Sequence, residues 1–203
     1  MENQHVVLLG DSIFDNAVYV PAGPAVIDHL HALLGKGQRA TLLARDGDVA
    51  ADIREQLLDL PPDASHLVLS VGGNDALRHT EIGTYPAGTV NDALRHLTRI
   101  RKEFHREYRK MFRELAALDL PVAVCTIYED IPGLSAELQT ALCLFNDAIL
   151  REALSAGSDI IDLRRICNDA GDYSEISPIE PSAQGGKKIA QAISEWLSGF
   201  DES

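Results

Sequence analysis

The chain has 203 residues, 45% hydrophobic and 24% charged, an ordinary globular balance with enough apolar side chains for a sizeable core. Its 31 acidic and 18 basic residues leave a formal charge of −13, which argues against a nucleic-acid or anionic-membrane partner, because phosphate is held by basic surface. No apolar run approaches the roughly 20 residues that span a bilayer, and the opening Met1-Glu2-Asn3-Gln4-His5 lacks the basic region and apolar core of a secretory signal.

Three cysteines, Cys125, Cys143 and Cys167, are an odd number with wide spacing. They suit neither a disulfide framework nor a metal clip, so reduced thiols and a cytoplasmic location are expected.

Apolar runs and helical periodicities alternate along the chain. Val6-Val7-Leu8-Leu9 is an unbroken apolar run and predicts a buried parallel strand over about 5–9. A helix over about 23–34 places Val26, Leu30, Leu33 and Leu34 on one face. A second strand at about 39–44, a short helix near 50–58 and a third strand at about 66–71 follow.

A long helix is expected from about 88 to 118. Its apolar face is Val90, Leu94, Leu97, Phe104, Tyr108, Met111 and Leu115, and its basic face includes Arg99, Arg101, Lys102, Arg106, Arg109, Lys110 and Arg113. That basic stripe reads as a solvated face or a docking surface. A fourth strand at 122–127, a helix near 135–156, a fifth strand at about 159–162 and a last helix near 182–198 complete the pattern. The last helix groups Ile189, Ile193, Trp196 and Leu197 on one face, with Trp196 expected against the sheet. Without repeats or an internal linker, residues 1–203 are expected to form one α/β domain, a three-layer α/β/α sandwich around a parallel sheet.

The chemistry-bearing residues sit after the strands. Gly10-Asp11-Ser12 ends the first strand, where a sharp turn exposes a hydroxyl at the carboxyl edge of the sheet. Ser12 is thus a candidate nucleophile, and equally a helix N-cap. Gly47 follows the second strand in Arg45-Asp46-Gly47-Asp48, where a backbone N–H can face a ligand. Gly72-Gly73-Asn74-Asp75 follows the third. The N–H groups of Ser12, Gly47 and the Asn74 side chain, from three neighbouring strand ends, would compose an oxyanion hole.

In these three blocks the chain resembles the SGNH hydrolases, also called GDSL esterases and lipases. The resemblance extends through Gly47-Asp48-Val49-Ala50-Ala51-Asp52-Ile53 and the closing Pro181-Ser182, Gly185-Gly186 and Ile189-Ala190 segment. It implies a five-stranded parallel sheet of flavodoxin-like order. It also implies Ser12 as nucleophile, an oxyanion hole from Ser12, Gly47 and Asn74, and a small ester or acylated substrate with no cofactor. Asp11 and Asp75 sit beside these residues in supporting positions.

The fourth block departs from the family. Where the family has Asp-x-x-His, supplying the base and the residue that orients it, this chain has Ser177-Pro178-Ile179-Glu180. Glutamate ordinarily titrates near 4.3 and histidine near 6.5, so Glu180 serves as base only if burial raises it by about 2 units. Of the seven histidines, His5, His29, His31, His66, His96 and His105 fall on strand starts or helices away from the catalytic edge. His79, four residues after Asp75, is the one on a loop leaving that edge. Glu180 and His79 are therefore both candidate bases. Asp11, Asp15, Asp48 and Asp75 gather near the edge without a recognisable metal motif, and no metal is expected. The functional expectation is an esterase with an atypical base; the alternative is a catalytically reduced relative that binds a small ligand.

Overall fold

The computed structural model describes residues 4–200. Five strands, β1 (Gln4–Gly10), β2 (Gln38–Leu42), β3 (His66–Ser70), β4 (Val122–Cys125) and β5 (Asp159–Ile161), pair in parallel in the order β2-β1-β3-β4-β5. This is the flavodoxin-like order, and the chain has the α/β fold expected of an SGNH hydrolase.

The unbroken apolar runs are explained by burial on both faces. Val6 and Leu8 of β1 point into one core, Val7 and Leu9 into the other, by the two-residue period of a strand. On the first face, α1 (Val26–Leu33), α6 (Leu163–Ile166) and α7 (Ala183–Ser198) supply Val26, Leu30, Leu163, Ile189 and Ile193. On the second, α2 (Ile53–Leu57), α4 (Val90–Ala116) and α5 (Ala136–Ser155) supply Ile53, Phe104, Tyr108, Leu115, Phe145 and Ile149. Short elements that the periodicity did not reveal are α3 (Gly73–Leu77) and 3-10 turns at Ala17–Tyr19, Thr80–Thr84 and Ala170–Asp172.

α4 starts on a capping box, with the Thr89 hydroxyl accepting from Asp92 N–H and Asp92 accepting from Thr89 N–H. Its apolar face is buried only from Ile100 onward, whereas Val90 and Leu94 are 78% and 53% exposed. Part of the basic stripe is committed within the fold: Arg101 and Arg109 pair with Asp147 and Glu152 of α5.

Trp196 differs from the sequence expectation. It is half-buried at the rim of the sheet, with its indole N–H donating to Asp159 and its ring against the edges of His66 and Phe200. Trp196→Ala should therefore lower stability by about 1–2 kcal/mol, below the roughly 3–5 kcal/mol of a fully buried aromatic. Chemical denaturation checks this; a loss above about 3 kcal/mol would show that the indole is a core residue.

Candidate active site

The register of β1 on β3 pairs Gly10 with Ser70, so both strands end level and release their loops at one edge. Gly10 has φ +138°, and a Cβ there would lie 1.8 Å from the Ser70 carbonyl oxygen. Only glycine lets β1 turn this close to β3. Ser70 O accepts from Asp11 N–H at 3.1 Å, which fixes the turn that presents Ser12.

Gln56, fully buried on α2, secures the same turn. Its carbonyl accepts from Gly10 N–H at 2.9 Å, and its amide donates to Gly10 O and to an Asp48 carboxylate oxygen, both at 2.7 Å. One side chain thus joins the end of β1 to the Gly47 loop. The Asn74 amide adds a second tie by donating to Asp48 O at 3.0 Å. Gly47 itself has φ +84°, with no heavy atom within 4 Å of where a Cβ would stand. Asp75 accepts from Ala50 N–H at 3.0 Å, anchoring the residues that follow Gly47.

Ser12 Oγ donates to Glu180 Oε1 at 3.0 Å. The two residues are 168 apart in the chain, and the loop carrying Glu180 is fixed from several sides. Ser174 N–H donates to Glu180 O at 2.8 Å, and Glu180 N–H to Ser177 O at 3.0 Å. Asn16, itself buried, donates to Pro181 O, and the Tyr128 hydroxyl donates to Ile179 O at 2.6 Å. Ser177 contributes its backbone carbonyl to this loop. Its hydroxyl does not hold the Glu180 carboxylate, whose Oε1 receives Ser12 and whose buried Oε2 has no partner.

Burial governs the electrostatics. Glu180 is 4% exposed, and burial pushes its carboxyl up to about 7; the Ser12 hydrogen bond pulls it down, and the Asp46 charge pushes it up further. Asp11, also buried, is pushed up to about 8, by burial first; the Ile13 N–H it accepts opposes this, and the charges of Glu180 and Asp75 add to it. Asp75 is raised as well, again by burial first. Among the described residues, no group of three His, Cys, Asp or Glu is placed to hold a metal ion.

A cavity opens beside Ser12, and its lining includes Asp11, Asn74, His79 and Glu180. His79 enters from the segment after α3, with its ring tilted toward Phe145 at a centroid distance of 6.2 Å. Gly47, Asp75 and Ser177 are not among the residues that line the cavity; Gly47 borders it through the loop that Gln56 and Asn74 tie to Asp48. Gln56, Asn16 and Tyr128 are the site residues that patterning does not single out as structural ties. A lone amide on a short helix carries no sequence signal for a backbone 46 residues away.

Residues 8–188 match the GDSL-like lipase/acylhydrolase family. No curated protein matches the chain in sequence. Among solved structures, the fold resembles an extracellular lipase from Streptomyces rimosus, with a TM-score of 0.66, 17% identity and coverage of 95% of this chain and 99% of that one. It also resembles Axe2, an acetylxylan esterase from Geobacillus stearothermophilus, with a TM-score of 0.69, 15% identity and coverage of 95% and 93%. A third similar structure is the acetyl xylan esterase AlAXEase, with a TM-score of 0.67, 21% identity and coverage of 96% and 98%. The match over residues 8–188, with the five-stranded parallel sheet that carries it, places this chain in the GDSL-like lipase/acylhydrolase family.

Proposed function

We propose that the protein is a serine hydrolase that cleaves an ester through Ser12, with Glu180 in the position of the general base. The observation that carries this reading is the 3.0 Å hydrogen bond from Ser12 Oγ to Glu180 Oε1, made by a carboxyl raised to about 7. A base poised near neutrality both takes the proton and gives it back, the task histidine ordinarily performs.

In the reaction, Ser12 Oγ attacks the ester carbonyl carbon as its proton passes to Glu180. Negative charge develops on the carbonyl oxygen and is met by the N–H groups of Ser12, Gly47 and the Asn74 side chain. The C–O bond to the alcohol breaks as Glu180 returns the proton to the leaving oxygen. Water then attacks the acyl-serine, giving a proton to Glu180; the acyl C–Oγ bond breaks as Glu180 returns that proton to Ser12 Oγ, and the carboxylic acid leaves. The step consumes one water and needs no cofactor.

The free thiols Cys125, Cys143 and Cys167 agree with a reducing, cytoplasmic compartment. Among the described residues no helix is long and apolar enough to cross a membrane.

Labelling by a fluorophosphonate probe tests the reading: an activated Ser12 reacts covalently, and Ser12→Ala does not. Failure of the wild-type protein to label, with no turnover of p-nitrophenyl esters, returns the chain to the ligand-binding reading. Asn74→Ala should lower kcat by about 10²–10³ with little change in KM, as for the loss of one oxyanion donor. An intact kcat would leave Asn74 only its bond to Asp48 O, as a tie between loops.

A further inference from the structure

The polar lining of the cavity is concentrated at the strand edge, at Asp11, Ser12, Ser70, Asn74, Thr126 and Glu180. Away from that edge the wall changes character. It is built by the segment from α3 to the following 3-10 turn, by α4, and by α5 with the connection that leads into it. Its main surfaces are Leu77, Ile82, Leu97, Leu134, Leu142 and Phe145, interrupted only by His79 and Thr80. The wall runs outward to Leu77, which is 41% exposed at the rim.

Such a wall has a chemical preference. A short acyl group at Ser12 would leave most of it in water, and a carbohydrate pressed against it would find few partners for its hydroxyls. A flexible hydrocarbon chain removes the same surface from water with no unpaired polar group. We infer that the substrate of this site is an ester bearing an extended aliphatic chain, which lies along the Leu77–Leu142–Phe145 wall with its ester carbonyl at Ser12. The inference rests on the hydrolase reading above. The chain belongs to either the acyl or the alcohol half of the ester.

Two pairs of substrates separate these halves: p-nitrophenyl octanoate against p-nitrophenyl acetate, and octyl acetate against ethyl acetate. Each buried methylene is worth roughly fourfold, so kcat/KM in one pair should favour the long chain by at least about 10². Ala141, half-buried in the wall on α5, is the place to fill it. Ala141→Phe should reduce the long-chain preference at least about tenfold. Leu77→Asn, at the exposed rim, should reduce it in the same direction and keeps the test open if the first variant does not fold. Leu154→Glu, 67% exposed and outside the cavity lining, is the control that keeps the preference.

A preference below about tenfold in both pairs overturns the inference while the hydrolase reading stands. So does a preference that survives both wall variants. If no ester is turned over, the hydrolase reading fails and binding decides. Decan-2-one that binds, observed by NMR, and is weakened by Ala141→Phe upholds the aliphatic-chain site, and absence of binding removes it.

Discussion

Glu180→Gln should abolish ester hydrolysis, lowering kcat by at least about 10³, while leaving the fold intact. The amide keeps the shape of the carboxyl but cannot accept the Ser12 proton. In the wild type, only ionised Glu180 is a base. The rate should therefore rise with pH along a single acidic limb whose midpoint lies near the raised value of about 7. His79→Ala should lower the rate less than about tenfold, since His79 lines the same cavity without a hydrogen bond to Ser12. If the losses are exchanged between the two variants, His79 is the base.

Stability should run opposite to activity. A carboxyl raised above its unfolded value favours the folded state below that value, and this contribution is lost as pH rises through the folded one. For Glu180 and Asp11 the window runs from about 4 to about 8. Glu180→Gln should thus be more stable than wild type at the alkaline end, by about 1–3 kcal/mol, and indistinguishable at the acidic end. Equal stabilities at the alkaline end would show that burial does not tax the charged form. Ser177→Asp with Glu180→His restores the family's usual pair, and a rate above wild type would show that the pocket awaits only a stronger base.

Gly10→Ala should be the most damaging single substitution in the sheet, costing at least about 4 kcal/mol or preventing folding. The added methyl would stand 1.8 Å from the Ser70 carbonyl oxygen, on a backbone at φ +138° that disfavours any side chain. Relief requires β1 and β3 to separate where Asp11 N–H bonds Ser70 O and where Gln56 bonds both polar groups of Gly10. The turn that presents Ser12 and the β1–β3 pair would loosen together. Gly83→Ala, where nothing lies within 4 Å of the new methyl, is the control and should stay within about 0.5 kcal/mol. Urea denaturation of both variants checks the contrast, and a Gly10→Ala loss under about 1 kcal/mol would show that the strands absorb the clash.

Local patterning was enough for the five strands, the long helices and their order, because a chain buried on both sheet faces must write unbroken apolar runs such as Val6–Leu9 and Val122–Cys125. The family blocks around Ser12, Gly47 and Asn74 were equally legible, since each is a glycine-bearing turn directly after a strand. Patterning overreached at Val90 and Leu94, whose helical spacing matches a buried face but which are exposed on the first turns of α4, ahead of the buried stretch that starts at Ile100. Trp196 was likewise expected in the core, but its neighbour Leu197 takes that position while the indole lies against His66 with its N–H on Asp159. What only the tertiary structure decided is the surroundings of the fourth block. A glutamate in place of histidine is, as a sequence, a weaker base; its strength depends on desolvation and on which hydroxyl it meets. Both are settled by residues distant in the chain, with Asn16, Tyr128 and Ser174 holding the loop and Ser12 meeting the carboxyl. The apolar wall beside it is decided in the same way, because α3, α4 and α5 each contribute one side and no single segment carries the pattern of a cavity.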